Sequence, residues 1–407
     1  MDAARTGDAY GCMPGHTAEQ CDAEQAYMQA MLVCANTWVR IPRDQWPASW
    51  AGKYTDPVCP LVLALYGHPD SGGHWEAHCE KHLLEAGYVP IPSWRSCFWH
   101  PTLKLFLVVY VDDFKFSGPA DKIAEGWELI RRHIKTDEPH PVDQFLGCKH
   151  VAFERKLPDT GVTVRGMEYD MESFLISCVE RYKELTGVTT LRKATTPFLH
   201  ESTKPDMDGV ISSAEFEPDP DAAYAELLQY IEGGGETTAT FTTGASPGEE
   251  GSDPTTSRLA PYAAKVLMKI LYAARYARMD LLRAVCVLAQ NVSRWTRDCD
   301  VKLYRLVCYI NCSLHVRMTG WIGDNIDDLT VDLFADADFA GCTKTSRSTS
   351  GTHLSILGPN SCWPIAGQSK KQGCVSHSTP EAELVSADHA VRTYGTPALD
   401  LWPVLLH

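Results

Sequence analysis

Seven consecutive apolar residues, Leu105-Phe106-Leu107-Val108-Val109-Tyr110-Val111, run straight into two adjacent carboxylates, Asp112-Asp113. A second β-prone run, Phe114 to Ser117, follows at once, and Gly118 closes it. So short and apolar a run reads as a buried strand, and the pair of runs as a hairpin with an acidic tip. Adjacent carboxylates repel and are costly at an apolar tip unless cations sit there. Asp also favours turns for its own reasons, so a plain polar turn is the alternative.

The surrounding segments predict an α+β fold. Short β-prone runs recur at Thr37 to Ile41 and Leu61 to Leu63, and helical periodicity runs from His74 to Ala86 through Trp75, Cys79, His82 and Leu83, with Gly87 as C-cap. A second helix is expected over 120–134, where Ile123, Trp127 and Ile130 recur at helical spacing. Residues 204–257 shift to Gly, Ser, Thr, Pro, Glu and Asp, and such a segment cannot bury enough apolar surface to offset its ordering entropy. Beyond this expected linker, helices are predicted over 261–294 and 301–314, then strands over 331–335 and 352–357 and a helix over 379–390.

Composition narrows the function classes. With 37 Lys and Arg against 52 Asp and Glu, the net charge of −15 argues against holding nucleic acid by bulk positive charge. Fifteen Cys, an odd number without a Cys-x-x-Cys pair, point to free thiols in a reducing compartment. The N-terminus has no apolar signal region, and no apolar run approaches the roughly 18 residues of a membrane span. An intracellular protein, cytoplasmic or nuclear, is expected. No Gly-rich phosphate loop, Ser-His-Asp signature or internal repeat is present.

Upstream of the acidic hairpin, Asp22 is followed five residues later by Tyr27, in Asp22-Ala23-Glu24-Gln25-Ala26-Tyr27-Met28. Here the chain resembles the copia-type LTR retrotransposon reverse transcriptases, whose first aspartate precedes an Ala-aromatic run and whose second motif is Tyr-Val-Asp-Asp. Further matches follow in that family's order: Leu65-Tyr66-Gly67, the Trp75 helix, Phe145-Leu146-Gly147, Thr196-Pro197 and Arg278-Met279-Asp280-Leu281. Asp336-Ala337-Asp338-Phe339-Ala340-Gly341, Arg347-Ser348-Thr349-Ser350-Gly351, Ser369-Lys370-Lys371-Gln372 and Ser378-Thr379-Pro380-Glu381-Ala382-Glu383 complete the series. The resemblance covers about residues 18 to 395, and its specificity lies in collinearity.

The resemblance implies a reverse-transcriptase palm with most of the fingers missing over 1–203, the linker over 204–257, a helical connection over 258–328 and a partial ribonuclease H-like α/β domain over 329–407. It is that of a Pol polyprotein segment truncated at both ends. The implied activity is RNA-directed DNA polymerisation, with RNA template, DNA primer, dNTPs and RNA/DNA hybrid as partners, alongside other parts of the polyprotein and no membrane. Two Mg²⁺ ions about 3.5–4 Å apart, replaceable by Mn²⁺, would be held by Asp22, Asp112 and Asp113. Tyr27 would gate the dNTP sugar, and Asp70 and Ser71 would lie at the nucleotide. Phe145, Leu146 and Gly147 match a primer-contacting turn, though a simple turn fits as well. Asp336 and Glu383 match ribonuclease H carboxylates. The chain ends at His407, before the later carboxylates such a site needs, so no nuclease activity is expected of it alone.

Two departures favour a second reading, a non-catalytic remnant or interaction module. Only about 20 residues precede Asp22, too few for a fingers subdomain. The loop His68-Pro69-Asp70-Ser71-Gly72-Gly73-His74 carries Asp70 where the family has a glutamine, and it lacks two basic residues. Separately, His74, His78 and His82 recur at i, i+4, i+8 beside Cys79. A zinc site there needs a further convergent ligand, and an exposed helix face is the default.

Overall fold

The structure, a computed structural model, describes residues 1–33, 37–198, 257, 259–342 and 344–406. The expected linker lies outside these except for Ser257. The described residues fall into two compact units, a first drawn from 2–146, 322–329 and 397–406 and a second from 1, 147–321 and 330–396. The α+β expectation holds at the level of antiparallel sheets combined with helices.

The first unit opens with α1 (Asp2–Gly11) and β1 (His16–Asp22), followed by a small ribbon of β2 (Trp38–Arg40) and β3 (Val58–Pro60). Next come α2 (Ser71–Glu85), β4 (Val89–Pro90), β5 (Cys97–His100), β6 (Leu105–Tyr110) and β7 (Asp113–Pro119). α3 (Ile123–Arg131) and β8 (His140–Pro141) complete its frame. The six longer-range strands form one sheet ordered β4-β5-β6-β7-β1-β8, antiparallel throughout.

Register assigns each side chain a face. One row carries Val109, Phe114 and Cys21, and the next carries Val108, Lys115 and Gln20 on the other face. The first face is dry. Leu105, Leu107, Val109, Phe114, Phe116 and Cys21 pack against Trp75, Cys79 and Leu83 of α2 and Ile123, Trp127 and Ile130 of α3. α3 comes so close that a Cβ on Gly126 would lie 2.5 Å from Leu105 and Phe116, which is why glycine stands there.

α1 closes the second face, a helix that the sequence hid because its inward stripe is charged and small rather than apolar. A Cβ on Gly7 would lie 3.2 Å from Ser117 Oγ, and Tyr10 donates to the Lys104 carbonyl at 3.0 Å. Asp8 Oδ1 meets Lys115 Nζ at 2.5 Å with both side chains fully buried.

β9 (Gln144–Phe145) is the last strand of the first unit's main stretch; in the second unit, β10 (Cys148–Lys156) and β11 (Thr163–Asp170) form a hairpin. β13 (Thr330–Asp338), β14 (Thr349–Gly358), β15 (Ser361–Lys371), β12 (Met318–Ile322), β11 and β10 lie side by side in that order. Its helices are α4 (Glu172–Thr186), α5 (Ala260–Tyr276), α6 (Leu282–Ala289), α7 (Arg297–Cys312) and α8 (Thr379–Ala390). The single helix expected over 261–294 is broken after Tyr276. Arg278, 1% exposed, leaves helical geometry and turns inward, donating to Asp280 Oδ1 at 2.9 Å and to the Ser313 carbonyl at 2.9 Å. A buried guanidinium must satisfy its donors, and only the broken backbone brings these acceptors within reach.

Candidate active site

On the face that α1 covers, the β1–β7 ladder runs outward from Lys115–Gln20 to its last pair, Asp113 opposite Asp22. Asp113 is also paired with Tyr110 across the β6–β7 turn. Cross-strand partners share a face, so both carboxylates project from the same open end of the sheet. Asp112 is in the turn itself, and its carbonyl accepts from Ala23 N at 2.8 Å. Asp22 and the adjacent pair Asp112-Asp113, far apart in the chain, therefore meet at one tip: Asp22 exposed, Asp112 and Asp113 half-buried.

Their mutual influence falls on Asp113. Partial burial first, then the charges of Asp22 and Asp112 and a hydrogen bond shared with Asp22, push its carboxyl from the ordinary 3.8 to about 6. Like charges crowded at a half-desolvated tip with all-oxygen donors are the chemistry of a hard divalent cation site, so these residues fit Mg²⁺. In chelator, the folded state binds this proton more tightly than the unfolded chain. Asp113 thus contributes stability below about pH 3.8 that is lost as pH rises through about 6. Thermal midpoints of wild type and Asp113→Asn, compared from pH 4 to 7, are expected to diverge along that window, the wild type falling relative to the variant. Parallel curves would count against the crowding.

The turn is strained as well as charged. Val111 has φ +57°, a left-handed conformation that a β-branched residue avoids. It is held there by Trp75, whose Nε1 donates to the Val111 carbonyl at 2.6 Å, so the helix behind the sheet grips the hairpin tip. Relief of about 1–2 kcal/mol of left-handed strain exceeds the roughly 0.5–1 kcal/mol entropic cost of glycine. Val111→Gly is therefore expected to raise stability in denaturant unfolding; a drop would mean that the strain is absent.

The other sequence-predicted residues scatter around this tip. Tyr27 packs on the core beneath the tip with its ring 4.5 Å from that of Tyr66. Slight burial and then the Asp112 charge raise the Tyr66 phenol. Asp70 is exposed just before α2, whereas Ser71 is 1% exposed. Its hydroxyl donates to Leu65 O at 2.7 Å and accepts from Leu65 N at 2.9 Å, which pins the Leu65–Gly67 loop. Phe145 is buried under Lys115, whose Nζ lies 4.8 Å from the ring centroid. Leu146 and Gly147 turn with φ +50° and +73°. Two residues beyond Asp22, a cleft of about 460 Å³ is lined by Glu24, Gln25, Met28, Gln29 and Lys135.

No family model matches the chain. Over 107 residues it is 36% identical to an uncharacterized mitochondrial protein of Arabidopsis thaliana. That stretch is 26% of this chain, which spans 41% of the relative's length. No helix among the described residues is long and apolar enough to cross a membrane.

In the second unit, α8 crosses β13 at Asp336, where Ser386 Oγ donates to the Asp336 carbonyl at 2.7 Å. Glu383 lies one turn earlier on the same helix, and the Asp336 side chain is exposed. Asp338, two residues on, is engaged by Arg283 at 2.9 Å and by the Thr349 amide. The Trp75 grip, the Val111 strain and the Asp8–Lys115 pair carry no sequence motif. Each follows from strand register, which only the fold supplies.

Proposed function

We propose that this chain is the reverse transcriptase segment of a copia-type retrotransposon Pol polyprotein, an RNA-directed DNA polymerase that extends a DNA primer on an RNA template. One observation carries the reading: Asp22 and Asp113 are cross-strand partners at the open end of the sheet, with Asp112 in the adjoining turn. Asp22, Asp112 and Asp113 would hold Mg²⁺, or Mn²⁺ in its place. When bound, the ions supply the Lewis acidity that activates the primer 3′-hydroxyl and the charge that offsets the departing pyrophosphate.

The chain's own residues do the rest. Asp113, whose carboxyl is raised by burial and its acidic neighbours, would hold the cations as the carboxylate, because opposite charge favours the ionised form. Trp75 keeps the turn in its strained shape and so fixes where Asp112 sits. Tyr27, backed by Tyr66, offers a rigid aromatic edge that a 2′-hydroxyl on the incoming sugar would strike. Leu146 and Gly147 would meet the primer backbone, and Asp70 would face the nucleotide from an exposed position. In the second unit, Asp336 and Glu383 would face an RNA/DNA hybrid.

The net charge of −15 and the commitment of Ser71 to Leu65 favour the other reading, a remnant that keeps the fold without holding template. Primer extension decides. With an RNA template, a DNA primer, dNTPs and Mg²⁺ or Mn²⁺, template-dependent extension is expected, and its absence with both ions would establish the remnant.

A further inference from the structure

We propose that His82, Glu85 and His133 form a binding site for a borderline transition-metal cation of the Zn²⁺ class, on the helical side of the sheet away from the three carboxylates. The sequence offered a stripe of His74, His78 and His82 on one helix but no convergent partner. The fold supplies one from another element. His133, in the turn that ends α3, stacks on His82 with ring centroids 5.1 Å apart and planes 3° from parallel. His82 Nδ1 lies 2.8 Å from Glu85 Oε2, one turn further along α2. One ligand atom from each of the three residues lies within 4.8 Å of the other two. Cys79, by contrast, is 3% exposed and belongs to the core.

The donor set decides the ion. Two imidazoles and a carboxylate, open to solvent, match a three-ligand zinc site whose fourth position is water. Mg²⁺ prefers an oxygen octahedron and is not expected here. His78 flanks the pair edge-on, 4.5 Å from the His82 ring. Lys81 Nζ, 3.9 Å from Glu85, is the cation that the metal would displace.

A metal at this point joins two segments that both reach the carboxylate turn. α2 reaches it near its N-terminus, where Trp75 donates to the Val111 carbonyl, and the segment after His133 reaches it through Asp137 N, which donates to Asp22 O at 2.9 Å. Neither link depends on the chain being a polymerase.

The full chain titrated with Co²⁺ provides the test. One equivalent is expected to give d–d absorption without thiolate charge transfer, competed by Zn²⁺ and not by Mg²⁺. His82→Gln and His133→Gln should each weaken binding by at least about tenfold, while His74→Gln should not. His133 is exposed and His82 only partly buried, so metal-free thermal midpoints of the variants should match wild type. The Zn²⁺-induced rise in midpoint should vanish in both. Unchanged affinity in His133→Gln, equal loss in His74→Gln, or a spectrum dominated by thiolate charge transfer would each overturn the site.

Discussion

Asp112→Asn is expected to lower single-nucleotide incorporation by about three orders of magnitude while leaving the thermal midpoint within a degree or two of wild type. The magnitude follows from removing one anionic ligand from a paired-cation site, worth several kcal/mol of charge stabilisation, at 1.36 kcal/mol per tenfold in rate. The small stability effect follows from the geometry, since the backbone carbonyl of Asp112, not its side chain, makes the hydrogen bond to Ala23. Asp22→Asn should cost as much. The double variant should cost little more, because residues acting on one pair of ions are not additive. Asp113→Asn should cost less, since burial and its acidic neighbours push its carboxyl up to about 6 and so oppose its anionic form. Steady-state incorporation with Mg²⁺ in excess reads all four. Equal rates in wild type and Asp112→Asn would remove the carboxylates from the chemistry.

The second large effect concerns stability. Asp8 and Lys115 are both buried away from water, and removing one partner strands the other's charge in the interior, at a cost of about 3–5 kcal/mol. Asp8→Ala should therefore shift the urea midpoint strongly and loosen α1 from the sheet. Replacing both at once, Asp8→Leu with Lys115→Met, should recover most or all of the loss, because a well-packed apolar pair avoids the desolvation penalty. If Asp8→Ala unfolds no more easily than a surface substitution, the pair is hydrated and α1 is not docked as described. Lys115 stands two residues inside Asp113 on the same strand face, so a loosened α1 should also reduce incorporation.

Much of the sheet could be read in the sequence wherever apolar pattern alone decides structure. The Leu105 to Val111 run became β6, and the Trp75 periodicity became α2, because packing rewarded the pattern directly. α1 escaped because its buried stripe includes Arg5 and Thr6, which bond back to Asp2, and Asp8, which meets Lys115, so it does not follow hydrophobic spacing. β10 is largely exposed, and its pairing with β11 comes from register rather than composition. At the candidate site, motif resemblance singled out the carboxylates. The cross-strand opposition of Asp22 and Asp113 is a register fact that no spacing along the chain encodes. His133 is similar: a lone histidine in sequence gains meaning only when α3 places it against α2.

Anomalous scattering from crystals soaked in Mn²⁺ tests the central claim most directly. Convergence of the three aspartates on shared cations predicts a peak about 2.1 Å from oxygens of both Asp22 and Asp112. That peak should be lost in Asp112→Asn. A saturating soak with no peak at the hairpin tip, or one in which Asp22 has turned away from the Tyr110–Asp113 turn, would contradict it.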